Sequence, residues 1–280
     1  MRIVEFVDAD AQVGEGPFWD EREAILHWVD IPRGLIHRTD GHTTTTHVPT
    51  TVGAAIPRSS GPGYVVAIGE GFGTVVGDEL EVTHPILPRD HRMNDAKCDA
   101  RGRLWAGSCH QQFSAGAGVL HVLDSELGVR TAATGFSLPN GLGWSPANDT
   151  FYLVDSVEHT VHAWDFDLDT GAVDNQRTLA RFEDADGLPD GLCIDEDGCI
   201  WVAMWGGGSV RRLSPAGVEL SRIDVPVQQP SSCAFAGPEL DVLIVTSARD
   251  GLQSPSRIDG SVLAVHELGA RGVPVARYAG

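Results

Sequence analysis

A unit of about 40–50 residues recurs six times along the chain, and this repeat constrains the fold more than any other feature. Each copy consists of a polar or small residue, a short apolar run, a turn, and a second apolar run that often carries an aromatic residue. The copies begin near residues 15, 52, 94, 140, 190 and 231. Four short strands with their turns fill one such unit, which is the size of a propeller blade.

Short β-branched and aromatic runs bounded by glycine-containing turns indicate an all-β chain. The clearest runs are Tyr64–Ile68, Val119–Leu123, Thr150–Val154, Ile200–Met204 and Val242–Thr246. No long amphipathic helix and no linker interrupts them, so residues 1–280 are predicted to form one domain, a six-bladed β-propeller. The first strand, Ile3–Val7, precedes the first copy and is predicted to complete the last blade. A β-sandwich is the competing architecture, but it leaves the recurring period unexplained.

The charge of the chain argues against polyanionic partners. There are 39 acidic and 20 basic residues, giving a formal charge of −19, and Lys97 is the only lysine. Such a chain repels phosphate backbones and anionic membranes, so we expect no nucleic-acid or membrane partner. The N-terminus lacks the apolar stretch of a signal peptide, and the five cysteines include no Cys-x-x-Cys pair. These features predict a cytoplasmic protein with small, buried, reduced cysteines.

In a propeller, the innermost strand of each blade borders the central channel. The residue that opens each copy is therefore predicted to face one shared site at the end of that channel. The residues at that position are Glu15, Asn94, Asn140, Asp190 and, less regularly, Ser231 or Ser232. Carboxylate and amide oxygens of this kind suit a hard divalent ion such as Ca²⁺, Mg²⁺ or Mn²⁺. The predicted cofactor is one divalent ion, with Ca²⁺ favoured and Zn²⁺, Mn²⁺, Mg²⁺ or Fe²⁺ as alternatives. Taken singly, Asn140-Gly141 and Asp190-Gly191 are also typical of hairpin turns.

Four segments in this order resemble the regucalcin/gluconolactonase family of six-bladed propeller lactonases, also called senescence-marker-protein-like. These segments are Arg92-Met-Asn-Asp-Ala-Lys97, Trp105-Ala-Gly-Ser108, Leu138-Pro-Asn-Gly-Leu142 and Leu188-Pro-Asp-Gly-Leu-Cys-Ile-Asp195. The resemblance implies that Glu15, Asn140 and Asp190 hold a metal ion. It also implies that Arg92 and Asn94 bind the substrate.

One segment departs from the family pattern. Some sugar-lactone members place acidic residues shortly after the segment that matches Trp105–Ser108, where this chain reads Cys109-His-Gln-Gln112. An amide still bonds hydroxyl groups but does not act as a base. Gln112 is therefore predicted to bind substrate, and the sugar preference of the family does not transfer directly.

Together these features predict a divalent-metal-dependent hydrolase that opens sugar (aldonic acid) lactones in carbohydrate catabolism. Asp190 is the predicted base, and Arg92 is predicted to stabilise the developing oxyanion. Asp95 and Asp155 either orient the site or cap strand ends. The substrate is expected to be a small sugar lactone, and the protein a monomer or small homo-oligomer. The alternatives are a metal-dependent hydrolase of other lactones or phosphotriesters, and a non-catalytic calcium-binding propeller.

Overall fold

Six four-stranded antiparallel sheets surround a central channel in the computed structural model, which describes residues 1–280. The predicted all-β six-bladed propeller is therefore confirmed. In the first five sheets, the four strands follow one another in chain order from the channel outwards. The sixth sheet combines three C-terminal strands with the N-terminal strand, so the two ends of the chain meet in one blade.

The strands are short, and most contain five to eight residues. Strand β1 (Arg2–Val7) precedes the first blade, which contains β2 (Gly14–Asp20), β3 (Ile25–Asp30), β4 (Leu35–Thr39) and β5 (Thr43–His47). The second blade contains β6 (Val52–Pro57), β7 (Tyr64–Ile68), β8 (Gly71–Val76) and β9 (Glu79–His84), and the third contains β10 (His91–Cys98), β11 (Leu104–His110), β12 (Gly118–Leu123) and β13 (Val129–Phe136). The fourth contains β14 (Pro139–Trp144), β15 (Thr150–Asp155), β16 (Thr160–Asp167) and β17 (Ala172–Arg181), and the fifth contains β18 (Leu188–Ile194), β19 (Ile200–Trp205), β20 (Ser209–Leu213) and β21 (Glu219–Asp224). The sixth blade contains β22 (Pro230–Ala236), β23 (Val242–Ser247) and β24 (Val262–His266), with β1 as its outer strand.

The N-terminal strand closes the ring as predicted. β1 pairs antiparallel with β24, with Ile3 opposite Val265. All five apolar runs named from the sequence lie within strands β7, β12, β15, β19 and β23. The only helix is a single turn, Asp184–Asp186, which is far too short to cross a membrane.

The innermost strands form a closed ring around the channel. Each of β2, β6, β10, β14, β18 and β22 contacts the inner strands on both sides, and β22 contacts β2. The inner strands are almost completely buried, whereas outer strands such as β5 and β21 are largely exposed. The hydrophobic core lies mainly between adjacent blades, where Trp105 and Trp144, for example, pack with Phe151. All five cysteines are buried with free thiols, as predicted.

Each inner strand carries an irregularity at the position that opens the sequence repeat. Regular pairing is interrupted between Pro139 and Leu142 in β14 and between Pro189 and Leu192 in β18, with comparable shifts in the other four inner strands. Asn140 and Asp190 therefore lie in bulges within strands, and the hairpin-turn alternative is wrong. A bulge changes the direction of a side chain, and here it does so at the channel.

The glycines that follow Glu15, Asn140 and Asp190 allow close contact between blades. A Cβ atom on Gly191 would lie 1.9 Å from Oγ and 2.6 Å from Cα of Ser232 in the next inner strand. Gly191→Ala is therefore expected to lower the free energy of unfolding by about 1–3 kcal/mol, the usual cost of overpacking. Chemical denaturation would measure the loss, with Gly61→Ala as the control. At Gly61 the nearest atoms lie 3.9 Å away on the flexible side chain of Arg58, so equal losses in both variants would contradict this prediction.

Asp155 caps a strand entrance and does not face the channel ligands directly. Its carboxylate accepts hydrogen bonds from the backbone N–H groups of Ser137, at 2.8 Å, and Leu138, at 3.0 Å, just before β14 begins. Asp30 makes the equivalent bonds to Gln12 and Val13 ahead of β2. Of the two roles considered for Asp155, the structure therefore shows capping.

Three buried or half-buried histidines are expected to make the fold sensitive to acid. Burial lowers the pKa of His27, His37 and His121 to about 4. The unfolded chain binds protons on these rings below about pH 6.5, whereas the folded protein does so only near pH 4. The contribution of these three histidines to the free energy of unfolding should therefore fall as the pH decreases from about 6.5 to about 4.

Denaturation curves at pH 7 and pH 4.5 would test this effect. Nε2 of His27 has no hydrogen-bond partner in its buried site, so His27→Gln should reduce the difference in unfolding free energy between the two pH values. The exposed His42, changed to Gln, is the control and should leave that difference intact. An unchanged difference in His27→Gln would show that other groups cause the acid sensitivity.

Candidate active site and metal centre

Polar side chains from four blades meet at one end of the channel. Four antiparallel strands return the chain to the end at which it entered a blade, so every inner strand starts at the same end. Glu15, Asn94, Asn140 and Asp190 all lie near the starts of their inner strands. All four are buried, with exposed fractions of 3–6%. The fold therefore brings together residues that are up to 175 positions apart in the sequence.

Asn140 and Asp190 are in direct contact across the boundary between blades 4 and 5. Nδ2 of Asn140 donates hydrogen bonds to Oδ1 of Asp190 and, at 3.1 Å, to Oγ of Ser156. Oδ1 of Asn140 is buried and has no hydrogen-bond partner. A buried amide oxygen without a donor is unfavourable, and a cation beside it would remove that cost.

Two buried carboxylates, Glu15 and Asp190, face this amide. Burial is the main cause that raises the pKa of each, and repulsion between carboxylates raises both further. Asp190 and Asp95 contribute this repulsion at Glu15, whereas Arg92 partly opposes it at Asp190. Like charges in one buried site favour either protonation or a shared cation.

The donor set fits a hard divalent cation. It consists of the carboxylates of Glu15 and Asp190 and the amide oxygen of Asn140, without histidine or cysteine. One cation would both give the Asn140 oxygen a partner and reduce the repulsion between the carboxylates. Oxygen-only sets of this kind suit Ca²⁺, Mg²⁺ and Mn²⁺.

Arg92 lies beside this donor set, and hydrogen bonds from one of its own guanidinium nitrogens fix its position. Nη1 donates to Oδ1 of Asn94 at 2.7 Å and to the carbonyl oxygen of Met93 at 3.0 Å. Nδ2 of Asn94 in turn donates to the carbonyl oxygen of Pro139 at 3.1 Å. Nε and Nη2 of the half-buried Arg92 donate to no protein acceptor. They are therefore free to bind a ligand at the end of the channel.

Gln112 is not in contact with these residues. It lies exposed in the loop between β11 and β12, at the same end of the channel, and its side chain makes no hydrogen bond. The next residue, Phe113, lies 6.0 Å from the Arg92 guanidinium carbon, measured to the ring centre. The loop is thus adjacent to Arg92, and substrate binding by Gln112 stays a prediction.

Comparisons with known proteins show the family to which the chain belongs. The sequence model of the family described as "SMP-30/Gluconolactonase/LRE-like region" matches residues 13–249. The chain belongs to this family. Regucalcin of Xenopus laevis is 33% identical to this member over 299 residues, which cover 100% of the chain and 99% of the relative. A pentonolactonase of Haloferax volcanii is 35% identical, covering 89% of the chain and 86% of the relative.

Solved structures of similar proteins share the whole architecture of this SMP-30/gluconolactonase/LRE-like family member. A luciferin-regenerating enzyme superposes with a TM-score of 0.93 at 29% identity, covering 99% of both chains. A regucalcin from Agrobacterium tumefaciens, described as a calcium-binding protein, superposes with a TM-score of 0.89 at 25% identity. The superposition covers 99% of this chain and 97% of that regucalcin.

Two side chains at the candidate site were given no role from the sequence. Ser156, the residue after the capping Asp155, accepts a hydrogen bond from Asn140. Lys97 extends into the channel, where its ammonium group donates to the carbonyl oxygen of Leu192 at 2.8 Å. No local pattern marks Ser156, whereas Lys97 was conspicuous as the only lysine of a strongly acidic chain.

Proposed function

We propose that this protein is a divalent-metal-dependent hydrolase that opens aldonic acid lactones in carbohydrate catabolism. The observation that carries the proposal is the buried set of Glu15, Asn140 and Asp190 beside a guanidinium with free donors. The similarity to a pentonolactonase supports a sugar lactone as the substrate class. A cytoplasmic location and a monomer or small homo-oligomer remain predictions from the sequence.

Oxygens of Glu15, Asn140 and Asp190 would hold the proposed metal ion. When bound, a divalent cation polarises a lactone carbonyl and makes a neighbouring water molecule more acidic. We favour Ca²⁺ because the ligands are all oxygens and because one similar structure is described as a calcium-binding protein. Zn²⁺, Mn²⁺, Mg²⁺ and Fe²⁺ remain alternatives.

Arg92 and Asn94 are proposed to orient the lactone. The free Nε and Nη2 groups of Arg92 donate hydrogen bonds to the carbonyl oxygen, on which negative charge develops as the ester is attacked. The Asn94 bond to Nη1 fixes the direction of the guanidinium, so that these donors need not reorganise during the reaction. Gln112, on the adjacent loop, is proposed to bond a sugar hydroxyl.

Asp190 is proposed to accept the proton of the attacking water. One of its carboxylate oxygens would hold the metal ion and the other would accept the proton, while Oδ1 also accepts a hydrogen bond from Asn140. A carboxylate within hydrogen-bond distance of a water molecule is a suitable general base for ester hydrolysis.

Proton release from a panel of aldonolactones (glucono, galactono, xylono and arabinono) tests this function. The chelated protein should be inactive, and addition of Ca²⁺, Mn²⁺, Zn²⁺ or Fe²⁺ in turn should restore hydrolysis. The metal that restores activity and the lactone that is opened fastest would identify the ion and the substrate together. Cation binding without hydrolysis of any lactone or phosphotriester would instead support a non-catalytic calcium-binding propeller.

A further inference from the structure

The only lysine of the chain bridges two blades that are not neighbours. Lys97 lies on β10, and its Nζ donates to the carbonyl oxygen of Leu192 on β18 at 2.8 Å. In the ring of inner strands, β14 lies between β10 and β18. The side chain must therefore extend through the channel to reach its acceptor, which lies two residues after Asp190.

The ammonium group lies among buried carboxylates. Asp95, which is 4% exposed, accepts a hydrogen bond from the backbone N–H of Ala96 at 2.8 Å and from no cationic side chain. The charge of Lys97 acts to lower the pKa of Asp95 and that of Glu15, in opposition to burial. Asp95 and Lys97 also line one small void between blades.

A second cavity lies on the other side of Lys97. It has a volume of about 420 Å³ and is bounded by Lys97, Trp144 and the turn after β14, and by residues of the C-terminal segment such as Val275. The turn after β14 is at the opposite end of the channel from Asn140. Lys97 therefore separates the candidate metal centre from this cavity and is the one ammonium group near either.

The charges of the site nearly balance without a divalent ion. When all three are ionised, the buried carboxylates of Glu15, Asp95 and Asp190 stand against two cations, Lys97 and Arg92. Binding of a divalent cation changes the formal charge of these five side chains together with the ion from −1 to +1. Without the ammonium group the same cation would change −2 to neutrality, which is the more favourable change in a buried site.

We propose that Lys97 is an internal counter-cation, which offsets the charge of the buried Asp95, stabilises the cation-free fold and weakens the binding of the divalent ion. This inference rests on the proposed metal centre. It assigns Lys97 an electrostatic role that does not involve contact with the substrate. The consequence is a site that exchanges its metal ion more readily than three buried carboxylates alone would allow.

Calorimetric titration with CaCl₂ at pH 8 and denaturation in chelator test this proposal together. Lys97→Met, similar in length but uncharged, should bind Ca²⁺ about tenfold more tightly, which corresponds to ~1.4 kcal/mol, and should unfold more easily without Ca²⁺. The double variant Lys97→Met/Asp95→Asn should return both quantities towards the wild-type values. Lys97→Arg keeps the charge and should change the Ca²⁺ affinity by less than about threefold.

A buried ion pair away from the site provides the control. Arg212 pairs with the buried Asp195 in the turn after β18, at the opposite end of the channel. Arg212→Met should destabilise the fold without changing Ca²⁺ affinity. This control separates a general loss of stability from an electrostatic effect at the metal centre.

Unchanged or weaker Ca²⁺ binding by Lys97→Met would overturn the proposal. If Lys97→Met does not fold, the double variant and Lys97→Arg carry the test, since both should fold and bind Ca²⁺ with near wild-type affinity. A wild-type protein that binds none of the divalent ions would overturn the metal centre itself. In that case the denaturation curves would still test the coupling between Lys97 and Asp95. Additive effects of Lys97→Met and Asp95→Asn on the free energy of unfolding would refute that coupling.

Discussion

Asp190→Asn is expected to lower lactone turnover by at least about a thousandfold while leaving the propeller folded. The substitution keeps the size of the side chain but removes one of the two carboxylates of the candidate metal centre and the proposed base. Turnover is measured as proton release with the restoring metal ion present. Circular dichroism and thermal denaturation would verify the fold of the variant.

The control for the Asp190→Asn variant changes another aspartate in the same blade. Asp224, at the end of the outer strand β21, has a side chain that is 76% exposed, and Asp224→Asn should leave turnover unchanged. An Asp190→Asn variant that retains most of its activity would exclude Asp190 from both proposed roles. Loss of turnover with metal binding retained would assign it to proton transfer alone.

Arg92→Met is expected to lower kcat by about 10²–10³-fold, the usual effect of removing a charged donor from a developing oxyanion. Affinity for the metal ion should change much less than kcat, since Arg92 is not among the proposed ligands. Steady-state kinetics on the preferred lactone would separate the effect on kcat from that on KM. The exposed Arg89, changed to Met, is the control at the same end of the channel and should be close to wild type.

The split between kcat and KM decides the role of Arg92. A higher KM at constant kcat would show that the guanidinium binds the lactone equally in the ground and transition states. That result would contradict oxyanion stabilisation but keep Arg92 as a substrate contact. Unchanged kinetics would place the lactone away from Arg92 altogether.

The sequence alone was sufficient for the architecture. The repeat period reflects four short strands per blade, and strand length and turn chemistry are local properties of the chain. The first polar residue of each repeat could be located for the same reason. Glu15, Asn140 and Asp190 occupy equivalent places in their repeats, and a closed ring must bring equivalent places to one axis.

Tertiary structure decided which of the similar aspartates belong to the site. Asp190 and Asp195 lie five residues apart in one segment, yet Asp190 faces Asn140 in the channel, whereas Asp195 binds Trp201 and Arg212 at the opposite end. Asp155 was considered together with Asp95, but it caps the entrance of β14. Position within the repeat was sufficient to select Asp190, whereas the capping role of Asp155 is seen only in the structure.

The partner of Lys97 was also beyond sequence reasoning. Its acceptor, Leu192, lies 95 residues away on an inner strand that is not a neighbour in the ring. The exposed position of Gln112 likewise depends on the path of one loop. The chain by itself thus determined the number of blades and the polar residues that open each repeat, because those follow from local periodicity. The packing of separate blades around the channel decided which charges meet, because such contacts join residues that no local pattern relates.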